Sequence, residues 1–397
     1  MTPPLTVERQ RDRTLQTVCL TFGRGQRDEP EALPGLAHLV EHLVHCRRTF
    51  GSGRFFADLR AAGAVCNAYT GADYVQFWVS LPPAELTRWA GVMRRQLTDP
   101  VHEPSTVRRE LDVIAQEVAS KVTRHPHRGF SFHHNRSALF DDYPNAHTGF
   151  VDNPALRDLT PDETHRWFRF FLDPAVAAVA TVGPLPTDQA TTELAPVLEA
   201  LAAPAAEPLG ARPHRLAGWR AIRIERAGDS PPAGAVCFPV VRADRWLTDL
   251  AVHQVVAAIL AQGGGRSLLG RRAPAGTTVT ARVGIHNDAN EDRSPTCLTV
   301  ESTGDVEWLP AAVSDALGGL ADGVDPAVVA AAARFVHTGA LMRFDRPVPR
   351  ARSITWLSLF HDASVDEYLA GVSSVGADQV ALAAKALTHH GGREITL

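Results

Sequence analysis

The sequence predicts an α+β protein of two related domains, each a mixed sheet with helices packed on it. Three observations carry this. The chain has 397 residues, more than a single domain of ordinary size requires. Strand-like and helix-like patterns recur in the same order in both halves. A stretch with Pro204, Pro208, Gly210 and Pro213 separates those halves and would interrupt any helix or central strand. The expected organisation is therefore a first domain over 1–201, a linker over 202–214, and a second, homologous domain over 215–397.

The first half opens with a strand pattern at Thr17 to Phe22 and a helical one at Pro34 to Arg47. Pro34 suits a first helical turn, and nothing breaks the helix before Arg47. A further strand is expected at Tyr74 to Leu81, where Val75, Phe77 and Val79 alternate with polar or aromatic neighbours. Ser105 to Lys121 reads as a helix with Val107, Leu111, Ile114 and Val118 as its apolar stripe. The second half repeats the order, with strands at Ala221 to Glu225 and Ala235 to Val241 and a helix at Thr248 to Gln262.

Composition excludes several classes. Hydrophobic residues make up 45% and charged residues 21%, which supports a buried core and argues against wholesale disorder. A formal net charge of -4, with no basic run, gives no reason to expect nucleic acid. Arginine carries nearly all the positive charge, Lys121 and Lys385 being the only lysines, and alanine and valine abound. That usage points to a bacterial gene of high GC content. The five cysteines (Cys19, Cys46, Cys66, Cys237, Cys297) are widely spaced and never in a CxxC pair, so free thiols in a reducing compartment are expected. Met1 to Thr14 has no apolar h-region, and no segment has the apolar length to span a bilayer. The expected location is the cytoplasm, with no membrane partner.

The chemistry-bearing motif is His38-Leu39-Val40-Glu41-His42. In a helix, His38 and His42 lie one turn apart on one face, a spacing that lets two imidazoles converge on a zinc ion. Glu41 lies three residues after His38 on nearly the same face, close enough to take a proton from water activated by the metal. Leu36, Leu39, Val40 and Leu43 supply an apolar flank. The alternative is two core histidines beside an incidental acid. A catalytic zinc needs a third protein ligand. Glu110 and Glu117 lie two turns apart on the later helix, beside its apolar stripe. On spacing alone, two solvated surface glutamates are the better reading.

These motifs, with the stretch Phe22 to Pro30, resemble the pitrilysin-type peptidases, which include insulin-degrading enzyme and the mitochondrial processing peptidase. In that family the ligand glutamate follows the second histidine by a little over seventy residues; here Glu117 follows His42 by 75. The resemblance implies His38, His42 and Glu117 as ligands of one zinc per chain, Glu41 as the base, and Glu110 as the residue orienting a ligand imidazole. His45 faces the same side of the helix and reads as a lining or core histidine rather than a ligand. His125, His127, His133 and His134 have no matching motif and read as surface or loop residues.

Gly63 to Tyr74 resembles the family's substrate strand, a sheet edge to which an extended peptide adds by backbone pairing. That implies Asn67 and Ala68 as substrate-binding residues. Phe140 to Pro144, Gly149 and Asn153 to Val182 follow the family's usual continuation. In the second half, the family's substrate clamp is an arginine and, seven residues on, a tyrosine. Arg271 matches the arginine, but Thr278 stands where the tyrosine would be.

The resemblance thus implies two domains enclosing a peptide chamber, and a zinc endopeptidase acting on unfolded peptides or removing a leader peptide. An intact metal motif beside a degraded clamp implies the metal-bearing subunit of a heterodimer, its homologous partner supplying the clamp. Otherwise the chain is expected to be a homodimer, or a monomer using Arg271 without a phenol. The rival is a non-catalytic binding or scaffold subunit of the same fold, a class that usually loses the zinc motif.

Overall fold

Side-chain alternation in two neighbouring strands sets the two faces of the first sheet. In β2 (Gln16–Phe22) and β4 (Val75–Leu81), Val18, Leu20, Phe22, Val75, Phe77, Val79 and Leu81 are buried and apolar. Each such side chain contributes about 1.5–3 kcal/mol on burial. The computed structural model describes residues 4–44, 59–98, 103–125, 128–202, 215–224, 231–240, 246–262, 267–283 and 296–397.

With β1 (Leu5–Arg9), β3 (Val65–Thr70) and β5 (Ala177–Gly183), these strands form a five-stranded sheet in the order β1-β5-β2-β4-β3. β1 runs parallel to β5, and the other neighbours are antiparallel. β6 (Ala221–Arg223), β7 (Ala233–Val240), β8 (Thr278–Val283), β9 (Thr296–Thr303) and β10 (Arg393–Thr396) form a second sheet, ordered β6-β10-β7-β9-β8. Its one parallel pair is again that of the first and last strands in sequence. Strand for strand the two sheets have one topology, as two related α+β domains require. β3 and β8 hold the same edge position in each.

The compact units are interleaved in sequence, a difference from the sequential boundaries expected above. The first comprises 1–116, 148–210 and 343–365; the second comprises 117–147, 211–342 and 366–397. The linker 202–214 lies, apart from Ala202, outside the described residues.

The exchanged segments have clear packing reasons. In the first unit, the helix Pro347–His361 covers β2, β4 and β5 on their other face. There the sheet presents polar groups that need partners. Thr21 and Thr355 hydroxyls bond at 2.6 Å, Gln76 donates to Thr21 at 2.7 Å, and Arg350 donates to Glu8 at 2.6 Å. In the second unit, Ala138, Leu139 and Phe140 pack against Ala235, Cys237, Cys297 and Ile395. The apolar periodicity of these segments says that they bury a face, but not against which sheet.

Of the helices α1 (Leu36–Val44), α2 (Leu86–Thr98) and α3 (Pro104–Val118), the first and third carry the expected metal ligands. α1 starts two residues later than expected, and 45–50, which include His45 and Cys46, lie outside the described residues. Its start is set by Gly35, whose φ of +93° turns the chain before the helix. The buried Glu29 carboxylate then accepts from Gly35 N at 3.0 Å and Ala37 N at 2.9 Å. It satisfies two of the helix's open donors and places a negative charge at the positive end of its dipole. α3 carries the expected stripe of Val107, Leu111, Ile114 and Val118, all buried, and continues into one wider turn over Ala119–Thr123.

Cys19, Cys66, Cys237 and Cys297 are free thiols. Burial pushes the Cys19 and Cys66 thiols up to about 11, so neither is a nucleophile near neutral pH. Among the described residues, no single helix is long and apolar enough to cross a membrane.

Candidate metal centre

His38 is buried and His42 half-buried on one face of α1, their rings edge to face with centroids 4.8 Å apart. The Phe150 ring packs against that of His38, their centroids 5.4 Å apart. α3 brings Glu117, on its last turn, to the same place. One potential ligand atom from each of His38, His42 and Glu117 lies within 4.8 Å of the other two. Among the described residues this is the one group of three ligating side chains so arranged. Two imidazoles and one carboxylate are the donor set of a catalytic zinc with an open position, so the residues fit the ion the sequence implies.

Glu110, two turns before Glu117, faces His42, with Oε2 at 3.4 Å from Nδ1. That contact orients the ring through Nδ1, as suits ligation of a metal by the opposite nitrogen. Arg109 donates to the other Glu110 oxygen at 3.2 Å. Glu110→Gln is expected to weaken zinc affinity roughly tenfold or more, as loss of an orienting partner does elsewhere. Competition against a chelator measures this, and unchanged affinity would remove Glu110 from the site.

Glu41 is half-buried, and its Oε2 accepts the Thr70 hydroxyl at 2.6 Å. Thr70 ends β3, so the expected base is tied to the edge strand on which a peptide is expected to lie. The tie is supported from behind. Gln26 N and Arg27 N donate to the carbonyls of Gly71 and Ala72 in the β3–β4 turn, at 3.1 and 2.8 Å. Arg27 Nη1 pairs with Asp73 at 2.6 Å, both side chains fully buried. Removing one partner of such a pair costs about 3–5 kcal/mol, because a buried charge remains. Gly25 allows the approach, since a Cβ there would lie 2.4 Å from Tyr74 N. The stretch Phe22 to Pro30 thus braces the turn beside α1.

β3 is an edge strand, with Asn67 exposed and Ala68 half-exposed. Gly71 N donates to Tyr74 O at 2.8 Å, which makes these two a bonded pair. Alternation then turns the main-chain groups of Asn67 and Tyr69 toward β4 and those of Cys66, Ala68 and Thr70 toward the open edge. The Asn67 side-chain oxygen accepts the outward Ala68 N–H at 2.9 Å.

In the second unit the corresponding helix, Trp246–Ala261, has no metal-binding set among its described side chains. Its His253 is buried, with Nδ1 2.7 Å from the Asp249 carbonyl, and burial lowers its pKa. Arg271 lies exposed on a turn and Thr278 begins β8, so the tyrosine position is filled by a short hydroxyl at the strand's start. The four tyrosines lie elsewhere: Tyr69 and Tyr74 flank the β3–β4 turn, Tyr143 begins a single helical turn, and Tyr368 is buried on Val365–Ser373, donating to Gln254. His133 and His134 lie half-buried in a turn, in line with the loop reading, and burial lowers His133 to about 4. His127 lies outside the described residues.

Sequence reading missed Glu29, Arg27, Asp73 and Thr70 as parts of this site. Their common signal is polar residues close to the motif that end up buried or bonded across the fold, which no periodicity reveals.

The first of two sheets of one topology thus carries the group His38, His42 and Glu117 near an open edge strand. Residues 6–146 match the insulinase family, peptidase family M16. An uncharacterised zinc protease of Streptomyces coelicolor is 28% identical over 218 residues, covering 51% of this chain and 45% of that protein. The chain thus matches a little under half the length of that relative. A protease from Helicobacter pylori superposes with a TM-score of 0.82 at 14% identity, covering 99% of this chain and 96% of that one. A peptidase M16 inactive domain from Pseudomonas fluorescens gives 0.77 at 15%, covering 99% and 95%. Residues 6–146 are thus similar to the pitrilysin-type peptidase family, M16, and the whole chain shares the fold of M16-like proteins.

Proposed function

We propose that the chain is a zinc-dependent endopeptidase acting on unfolded peptides, a leader on a ribosomally made peptide being one such substrate. One observation carries the reading: His38, His42 and Glu117 converge while Glu41, on the same helix, is held beside an open strand edge. The name of the Streptomyces relative, a zinc protease, supports the choice of metal.

A zinc ion held by these three residues supplies Lewis-acid polarisation of the scissile carbonyl and lowers the pKa of water. Glu41 takes the proton of the attacking water and delivers it to the leaving nitrogen. The outward main-chain groups of Cys66, Ala68 and Thr70 pair with an extended peptide and hold its carbonyl in register. Asn67 must swing its amide away from Ala68 N–H and is then free to bond a substrate carbonyl.

The chain acts as the metal-bearing subunit of a heterodimer, in which a homologous partner supplies the arginine and tyrosine. The support is Thr278 in the tyrosine position after Arg271. A homodimer relying on Arg271 alone is the other assembly. Purified chain that cuts peptides at an ordinary metallopeptidase rate without a partner would contradict the heterodimer. The scaffold reading has its own support in the inactive Pseudomonas domain of like fold, and it predicts no cleavage with any partner.

The edge-pairing step has its own test. Ala68→Pro deletes an outward N–H without touching the ladder to β4, a place where an edge strand accepts proline. The expected result is a KM about tenfold higher with zinc content unchanged. An unaltered kcat/KM would show that the peptide does not pair there.

A further inference from the structure

We propose that Thr70 is a positioning residue for Glu41, so that the strand receiving the peptide also aims the base. The inference rests on the peptidase reading above and on one juxtaposition. The Thr70 hydroxyl donates to Glu41 Oε2 at 2.6 Å, while the Thr70 main chain lies on the open edge of β3.

Glu41 sits on a helix, has three rotatable side-chain bonds and is only half-buried. A general base must be held within hydrogen-bond reach of the proton it takes, and freezing such a side chain has an entropic cost. Thr70 bears that cost in advance. Being β-branched and in a strand, it is stiff about χ1, so its hydroxyl is fixed by the sheet. Alternation along β3 turns the side chains of Cys66, Ala68 and Thr70 to the face that carries Val75, Phe77 and Val79, and α1 packs against β3. The turn that follows is anchored at Gly71, Ala72 and Asp73 by the 25–27 segment. The support is therefore rigid on both sides of the hydrogen bond.

The bond engages Oε2 of the Glu41 carboxylate. A peptide paired with β3 would run about 4.8 Å from that strand, its usual neighbour distance, alongside the residue that holds the base. Docking and proton transfer then share one residue: main chain for the first, hydroxyl for the second.

The experiment compares Thr70→Val, which keeps the shape and removes the donor, with Thr70→Ser, which keeps the donor. Steady-state cleavage of a quenched peptide and zinc affinity are measured on the full chain, with its partner subunit if activity needs one. Thr70→Val is expected to lower kcat about tenfold with KM within about twofold, and Thr70→Ser to restore kcat to within about threefold. Zinc affinity should stay within about twofold of wild type in both. Thr70→Ala should match Thr70→Val, and covers the case in which valine does not fold. Full kcat in the donor-free variants, a loss confined to KM, or a parallel loss of zinc would each overturn the positioning role and leave the peptidase reading standing. Wild-type chain that binds zinc and cleaves nothing, alone or with a partner, would sink that reading and this inference together.

Discussion

Glu41→Gln is expected to lower kcat by about 10³-fold while zinc content and the unfolding transition stay those of wild type. The side chain is not one of the three converging donors, so its amide leaves the ligand set intact. Glutamine is nearly isosteric, and its oxygen still accepts the Thr70 hydroxyl, so the helix, the edge strand and their contact persist. What disappears is the basicity that removes a proton from water and the acid that returns it to the leaving nitrogen. KM should change little, since in the proposed mechanism main-chain pairing on β3 holds the peptide. Kinetics of the zinc-loaded variant beside wild type check this. A variant retaining more than a tenth of wild-type kcat would require another base, and Glu41 would revert to a lining residue.

Glu117→Gln should act one step earlier, on the metal itself. It replaces an anionic ligand with a neutral amide on the last turn of α3 and leaves the buried stripe of Val107, Leu111, Ile114 and Val118 in place. Two imidazoles alone make a poor site for zinc, which in catalytic centres takes three protein ligands. The expected result is a loss of affinity exceeding about 100-fold, beyond what removing an orienting residue costs. Metal analysis after dialysis, with circular dichroism as the fold control, reads it out. A variant that keeps stoichiometric zinc would place the third ligand elsewhere.

Much of this was legible in the sequence, and the reason is physical. Helical spacing of three and four puts His38, Glu41 and His42 on one face whatever the rest of the chain does. Alternation in Val75 to Val79 similarly marks β4 and its buried face. The recurrence of strand and helix patterns is borne out in two sheets of one topology. Glu117 was reached only through family resemblance, because a ligand 75 residues from His42 leaves no local periodic signal.

What stayed hidden depends on tertiary pairing. The helix Pro347–His361 shows an apolar pattern, yet nothing in it says that Thr355 and Arg350 belong against Thr21 and Glu8 in the first sheet. Segment 117–147 is hidden in the same way, since Phe140 finds its core beside Cys237 and Ile395. A boundary drawn at the proline-rich stretch therefore divides the chain in sequence while the packing crosses it. Glu29 shows the limit most plainly. Six residues before Gly35 it looks like a loop acid, and only the positive φ of Gly35 turns the helix start onto its carboxylate.

The duplication also bears on the proposed partner. The second sheet keeps the edge strand β8 but, among its described residues, neither a metal set nor a tyrosine at position 278. A repeat that retains the scaffold and loses the chemistry is consistent with dividing the work between subunits.

The most direct test of the account is the zinc content of the purified chain, with cleavage of a quenched peptide library measured on the same sample. One zinc per chain, with cleavage alone or on addition of the proposed homologous partner subunit, is the result the metal centre at His38, His42 and Glu117 predicts. A correctly folded chain that takes up no zinc at micromolar metal would contradict it and leave a binding or scaffold role for the fold.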